Sequence, residues 1–217
     1  GAALDAIEYC ESRLRDELGA VTDNPLVFDE NGRTDLVSAG CFHGMPVALP
    51  LDALTIAVAH VAGIAERRVY HLLSAFDPHA GLPPFLSPRP GLQSGYMIVQ
   101  YAAAAMCNEI IGLAAPASVA NLSTCAGMED YNSFGPRSAA KAARAVDLCR
   151  SVVAIELLCA AQAVEAHRPH TTGAILERTI ATIRDRVAPL TEDRSPSPDV
   201  ASIEDLIRLG HFTAPHW

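Results

Sequence analysis

Residues 46–76 carry the most restrictive pattern in this sequence, a helical repeat that is apolar nearly all round. Its polar positions form one narrow stripe, made of Asp52, Thr55, His60, Gly63, Arg67 and His71. An α-helix of about 30 residues spans about 45 Å at about 1.5 Å per residue. A helix of that length with so few polar positions belongs in the middle of a helical bundle.

The rest of the chain also favours helices over strands. Helical spacing predicts further helices over 3–18, 94–114, 136–167, 172–187 and 203–209. Asn24-Pro25 and Asn31-Gly32 predict a loop or short hairpin within 20–45, and no strand-like alternation of useful length is visible elsewhere. The stretches 77–93 and 115–135 are predicted loops. We therefore predict an all-α fold.

Composition restricts the domain organisation and the partners. A chain of 217 residues, 50% hydrophobic and 6% aromatic, suits one domain or a large piece of one. We expect a single helical domain over 1–217, with a long-helix bundle at about 1–168 and a C-terminal helical segment at about 169–217. A net charge of −9 argues against nucleic-acid binding, which needs clustered Lys and Arg. The apolar stretch 152–164 is too short to cross a membrane, so no membrane partner is expected.

The six cysteines form no CxxC pair, which predicts buried thiols in a reducing compartment rather than a disulfide framework. Residues 1–20 lack a basic start followed by an apolar core, so no signal peptide is predicted and we expect a cytoplasmic protein. The charged run Glu66-Arg67-Arg68 is interpreted as a solvated or interhelical cluster.

The segment 129–133 (EDYNS) is the strongest local candidate for chemistry, because it lies in an irregular stretch between two long predicted helices. Loops held by rigid helices are where reactive groups tend to occur. A carboxylate enclosed by a mostly apolar bundle can exchange protons near neutral pH. In the alternative interpretation, Glu129 or Asp130 caps the helix predicted from Pro136, or holds the loop.

Two other loops carry residues that suit a site. Phe42 and His43 precede a long helix, and an exposed histidine can act as an acid, a base or a metal ligand, although a lone loop histidine more often does neither. Asn24 either initiates a turn by bonding its own backbone or places an amide where it holds a carboxylate. His60 and His71 lack a third ligand at zinc spacing, so no metal site is predicted.

Four segments occur in a fixed order along the chain. They are Thr22–Phe28 (TDNPLVF), Gly40–Val47 (GCFHGMPV), Gly91–Ile98 (GLQSGYMI) and Met128–Gly135 (MEDYNSFG). Together they resemble the C-terminal half of the histidine, phenylalanine and tyrosine ammonia-lyases, with the match running from about residue 3 to about 167. The resemblance implies a bundle of long antiparallel helices in a homotetramer. It also implies elimination of ammonia from histidine or an aromatic amino acid, in active sites assembled from three subunits.

The resemblance implies roles for single positions. Phe42 resembles the aromatic residue that packs beside the family's electrophile, a methylidene-imidazolone called MIO. Glu129 resembles the acidic or amide residue near the substrate amine, and Asn24 falls in a motif that neighbours the active site. Met128 stands where the family usually has Gln or Asn, and we predict it to be a substrate-binding position.

MIO forms from an internal Ala-Ser-Gly tripeptide, which does not occur in this sequence. We therefore expect an N-terminal MIO-bearing half or subunit to supply the electrophile, as in a split enzyme or a cleaved precursor. Two alternatives stay open, namely a catalytically inactive assembly or regulatory subunit and a shortened piece of a longer protein. MIO-dependent aminomutases share these motifs, so the sequence does not separate a lyase from an aminomutase.

Overall fold

The computed structural model describes residues 1–212, in which six α-helices and one β-hairpin occur. Their bounds are α1 Ala2–Glu17, β1 Leu26–Glu30, β2 Arg33–Val37, α2 Met45–Ser74, α3 Met97–Leu113, α4 Gly135–Glu165, α5 Ala174–Arg184 and α6 Ser197–Arg208. The predicted all-α class is confirmed. So are the three long helices, whose ends lie within three residues of the predicted ones.

The chain forms two compact units, and α2, α3 and α4 each contribute residues to both. Unit 1 comprises residues 1–60 and 110–146, and unit 2 comprises 61–109 and the described residues from 147 onward. The predicted boundary at about residue 168, between the long-helix bundle and the C-terminal segment, does not coincide with the boundaries of these units. That boundary and the single domain stay predictions. The last part of the predicted C-terminal segment, residues 213–217, lies outside the described residues.

The hairpin in unit 1 settles the open choice between a loop and a hairpin at 20–45. β1 and β2 pair antiparallel, with Glu30 opposite Arg33. Asn31 (φ 54°) and Gly32 (φ 74°) make the left-handed two-residue turn that Asn-Gly sequences favour. Nearly every strand residue is exposed, so no face is buried and the alternation that would have predicted the strands does not arise.

The two C-terminal helices differ from their predicted bounds. α5 is shorter at both ends than the predicted 172–187. α6 begins at Ser197 rather than at 203, and Pro198 lies in its first turn. Proline suits the first turn because the amide it lacks would have no intrahelical partner there. Pro196 and Pro198 therefore lie at the start of α6, and residues 185–196 separate the two helices.

Unit 2 contains a hydrophobic core built around the second half of α4. Val152, Ile155, Leu158 and Cys159 recur at helical spacing and are 0–1% exposed. They form one cluster with buried side chains of α2, α3, α5 and α6, including Val69, Val99, Ile183 and Ile203. The almost wholly apolar sequence from Val152 onward is explained by this burial.

The charged run 66–68 lies partly in the core of unit 2. Glu66 is 5% exposed, and its carboxylate accepts hydrogen bonds from Arg67 Nε (2.6 Å) and Gln100 Nε2 (2.7 Å). Arg68 binds Glu156 of α4 through two hydrogen bonds, so the cluster is interhelical. The Arg67 guanidinium, aided by Gln100, holds the pKa of Glu66 below its ordinary value even though burial raises it.

We expect Glu66→Gln to lower the free energy of unfolding by about 1–3 kcal/mol at about pH 7. Because the pKa of Glu66 is lowered by folding, its contribution is complete above the unfolded pKa of about 4.3 and is lost as pH falls through the folded pKa. Urea unfolding of both proteins between about pH 7 and about pH 4 measures this, and the difference should shrink at the acidic end. Asp205→Asn, which removes an exposed carboxylate, is the control. If the difference in free energy of unfolding between the wild type and Glu66→Gln grew as the pH fell, the lowered pKa of Glu66 would be contradicted.

The cysteines are less buried than predicted. Cys10 and Cys159 are buried, whereas Cys41 and Cys125 are exposed, and all six are free thiols. Burial raises the pKa of the half-buried Cys107 thiol to about 11, which keeps it protonated and unreactive. The prediction of buried thiols is wrong for Cys41 and Cys125 because both lie in loops, where no helix packs over them.

α2 leaves large apolar side chains uncovered. Leu49, Ile56 and Ile64 are 41–57% exposed, and their spacing of about seven residues places them on one face of the helix. Among residues 1–212, α2 is the one helix long and apolar enough to cross a membrane, a test that the core helix of a soluble protein also passes.

Candidate functional site

Asn24 closes the base of the hairpin in unit 1. Its side-chain oxygen accepts hydrogen bonds from Ser38 Oγ (3.3 Å) and the Ala39 amide (3.1 Å), across the full length of the hairpin. The preceding Asp23 carboxylate accepts from the Asn24 amide (2.8 Å). Asn24 therefore does more than start a local turn, since it ties the strand entering the hairpin to the chain leaving it.

Phe42 belongs to a ring cluster that joins two loops of unit 1. It lies in a short 3-10 turn, Cys41–His43, and its ring centroid is 4.3 Å from that of His43. The His43 ring in turn meets Tyr131 edge-on at 5.4 Å. Such edge contacts are favourable because the positive edge of one ring meets the negative face of the other. The loop before α2 is therefore packed against the loop before α4.

The loop before α4 holds Glu129 by its backbone. Thr124 and Glu129 exchange two backbone hydrogen bonds (2.8 and 3.3 Å), and Ser123 Oγ donates to the Glu129 carbonyl (3.3 Å). Every residue from 121 to 130 is exposed, so the described residues do not enclose the Glu129 carboxylate in the apolar surroundings that the sequence predicts.

The alternative role for the acidic pair, capping of α4, is not found among residues 1–212. The first turn of α4 uses Ser133 instead, whose hydroxyl accepts from the Gly135 amide (3.2 Å). The Glu129 carboxylate makes no hydrogen bond within the described chain and extends from a backbone that is fixed.

Two asparagines and a strained turn fix the shape of this loop. Asn121 Oδ1 accepts from the Asn132 amide (2.7 Å), Asn121 Nδ2 donates to the Asp130 carbonyl (2.9 Å), and the Asn132 side chain donates to the Leu122 carbonyl. Cys125 and Ala126 both have φ of 53°, a left-handed conformation that costs energy in residues other than glycine. The loop thus stores strain within a hydrogen-bonded frame beside Glu129.

A buried polar network that the sequence did not predict lies in the same unit. Asp52 of α2 is 3% exposed, and its Oδ2 accepts from the Ser118 amide (2.8 Å) and hydroxyl (2.7 Å). Lys141 Nζ of α4 lies 3.8 Å from Asp52 Oδ1 and donates to the Ala115 carbonyl. The sequence did contain one sign of this network, namely an acidic residue on a nearly all-apolar helix. A buried carboxylate of that kind requires hydrogen-bonding or charged partners. The partners themselves lie 66 or more residues away and cannot be read from spacing.

The structure brings some of the predicted site residues together and leaves others apart. Phe42 and the loop of Glu129 meet through His43 and Tyr131, whereas no hydrogen bond among residues 1–212 links Asn24 to that loop. Met128 is 82% exposed beside Glu129. The roles of Glu129, Phe42, Asn24 and Met128 stay predictions.

A cavity of about 360 Å³ in unit 1 contains none of the four predicted site residues. It is lined by Ala115, Pro116, Ala117, Val119, Ala120, Leu122, Phe134, Arg137 and Lys141.

Neither a metal nor a self-made electrophile is indicated by the side chains described. No group of three His, Cys, Asp or Glu side chains that could hold a metal occurs within residues 1–212. The tripeptide that cyclises to MIO does not occur in the sequence, and Phe42 is an aromatic side chain of the kind expected beside that group.

Comparison with known proteins extends the resemblance. The family described as aromatic amino acid lyase matches residues 1–185, beyond the end at about 167 that the motifs indicated. The histidine ammonia-lyase of Anaeromyxobacter sp. (strain K) is 44% identical over 210 residues, which cover 97% of this chain and 41% of that protein. This chain thus spans about two-fifths of the length of the curated relatives it matches.

Solved structures agree with the sequence match. The crystal structure of histidine ammonia-lyase from Trypanosoma cruzi superposes with a TM-score of 0.92 at 37% identity, covering 97% of this chain and 41% of that one. Tyrosine aminomutase from Streptomyces globisporus superposes with a TM-score of 0.90 at 32% identity, covering 97% and 40%. With the ordered motifs, the helical fold and the family match in agreement, this chain belongs to the aromatic amino acid ammonia-lyase and aminomutase family.

Proposed function

We propose that this chain forms part of an MIO-dependent ammonia-lyase that eliminates ammonia from an amino acid, and that residues outside this sequence supply MIO. One observation carries the proposal. The turn of Phe42 and the loop of Glu129 are packed together through His43 and Tyr131, with the Glu129 backbone fixed and its carboxylate exposed. The substrate that we propose is histidine, because the relatives of this chain include histidine ammonia-lyases.

Four residues of this chain have distinct roles in the proposed reaction. MIO, when bound nearby, supplies the electrophile for the substrate. The Glu129 carboxylate holds or moves a proton at the substrate amine, which is work for a positioned acid–base group. Phe42 forms a wall that excludes water beside MIO, Met128 adds an apolar contact next to Glu129, and Asn24 orients a polar group of the substrate.

We also propose that the chain works in an oligomer, homomeric or mixed, with a tetrameric core. The exposed apolar face of α2 supports this proposal, since each large apolar side chain left in water costs about 1.5–3 kcal/mol relative to burial. The acidic net charge favours a small-molecule substrate over nucleic acid. A cytoplasmic location without membrane contact fits the same proposal.

A second candidate function is that of an aminomutase. Tyrosine aminomutase superposes almost as well as the histidine lyase, so the fold does not separate the two activities. A third candidate is a subunit without catalytic activity, which the missing Ala-Ser-Gly favours.

Reconstitution tests the proposed function. The purified chain alone should form no urocanate, cinnamate or coumarate, because it has no tripeptide to cyclise. Co-expression with the remaining N-terminal part of the Anaeromyxobacter histidine ammonia-lyase should give a stable complex, measured by native mass, that absorbs in the MIO region and forms urocanate.

The matched control replaces the serine of the partner's Ala-Ser-Gly by alanine, which should abolish turnover and leave the complex assembled. Product formation by the single chain would disprove the need for a second source of MIO. An assembled complex that carries MIO and releases a β-amino acid would favour the aminomutase. One that carries MIO and shows no turnover on histidine, tyrosine or phenylalanine would favour the inactive subunit.

A further inference from the structure

The segment 115–118 in unit 1 is held at both ends by two oppositely charged side chains. Asp52 binds the amide and the hydroxyl of Ser118, and Lys141 binds the carbonyl of Ala115 while lying 3.8 Å from the Asp52 carboxylate. Both charged groups are largely buried, with side-chain exposures of 4% for Asp52 and 13% for Lys141. A buried pair of this kind is costly to break, because removal of one partner leaves the other charge uncompensated.

The Asp52 carboxylate is ionised at neutral pH in this network. Burial raises its pKa, but hydrogen bonds from the Ser118 amide and hydroxyl, and from the Ala117 amide, outweigh burial and lower the pKa overall. Asp52 therefore acts as a fixed negative charge. It touches neither Phe42 nor Glu129, so its effect on a reaction at Glu129 is indirect.

Three residues of chain and then a set of hydrogen bonds join this segment to the loop of Glu129. Three residues after Ser118, the Asn121 side chain binds the backbone of both Asp130 and Asn132. The Thr124–Glu129 backbone pair closes the same loop. A shift of Ser118 away from α2 would therefore move the frame that holds the Glu129 backbone.

We propose that Asp52, together with Lys141, is a positioning residue that fixes the loop of Glu129 by anchoring residues 115–118 to α2 and α4. This inference rests on the proposed function only for its catalytic consequence. The anchoring itself is a property of this chain and can be measured without any partner.

Hydrogen–deuterium exchange of the purified chain tests the anchoring. Asp52→Asn keeps the size of the side chain and removes its charge. We expect the amides of Ser118, Thr124, Glu129 and Asn132 to exchange roughly tenfold faster or more, with little change in α1 and the hairpin. Asp147→Asn, which removes an exposed carboxylate from α4, is the matched control and should leave these amides unchanged.

Two outcomes would overturn the anchoring. One is unchanged exchange at 118–132, and the other is exchange that rises equally throughout the chain, which would indicate a general loss of stability. If Asp52→Asn does not fold, Ser118→Ala serves instead, because it removes only the hydroxyl donor. We expect the same selective increase in exchange rate at 118–132, but a smaller one.

Kinetics of the reconstituted complex test the catalytic consequence. Asp52→Asn should lower kcat about tenfold with a smaller change in KM, and it should cause no further loss when Glu129 is already Gln, because both changes act through one group. Full additivity of the two losses would disprove positioning through Glu129. A wild-type complex without turnover would instead count against the proposed function, while the exchange experiment would still decide the anchoring.

Discussion

Glu129→Gln is expected to lower the turnover of the reconstituted lyase by roughly 10²–10⁴-fold while the chain keeps its fold. The amide preserves the shape of the carboxylate and cannot accept a proton. The fold should survive because the structure holds Glu129 by its backbone and not by its side chain. Steady-state kinetics between about pH 6 and about pH 10 measure the effect, with circular dichroism to check helix content.

Asp130→Asn is the matched control, since it changes a neighbouring exposed carboxylate on the same loop. It should leave turnover within about threefold of the wild type. Unchanged turnover of Glu129→Gln at every pH would contradict a proton-transfer role and reduce Glu129 to a hydrogen-bonding residue.

Leu158→Ala is expected to lower the free energy of unfolding by about 2–5 kcal/mol. Leu158 is fully buried at the centre of the core cluster in unit 2, where truncation removes apolar contacts and leaves a cavity among rigid helices. Urea denaturation followed by circular dichroism measures the loss.

Leu176→Ala on α5 makes the same chemical change at an exposed position and should cost less than about 1 kcal/mol. Equal losses at Leu158 and Leu176 would contradict the assignment of the core to the second half of α4. A loss at Leu158 below about 1 kcal/mol would do the same.

The helices could be predicted from the sequence because burial repeats along a helix every 3.6 residues, and the patterns at 46–76 and 136–167 follow that period closely. The hairpin strands could not, since β1 and β2 bury neither face and leave no alternation to detect. The Asn31-Gly32 turn between them was detectable because its signal lies in backbone conformation rather than in burial.

The candidate site also has features that the sequence predicts and features that it does not. Glu129, Phe42 and Asn24 could be proposed from short motifs, because each motif keeps its neighbours close in sequence. The contact of His43 with Tyr131 and the anchoring of Ser118 by Asp52 could not, since both join segments brought together only by folding. The exposure of Glu129 was also missed, because the length of the helices on either side says nothing about what covers the loop between them.

The hairpin fixes the orientation of the side-chain amide of Asn24, that is, which side its oxygen and its NH2 group each face. A backbone N–H can only donate, so the amide atom that faces Ala39 has to be the oxygen, and the NH2 group points away from the hairpin. Asn24 can therefore offer a hydrogen-bond donor to a ligand and has its acceptor already engaged. A carboxylate matches that polarity and an ammonium group does not. The proposed role of Asn24 therefore predicts that the carboxylate of an amino-acid substrate, and not its ammonium group, faces the hairpin.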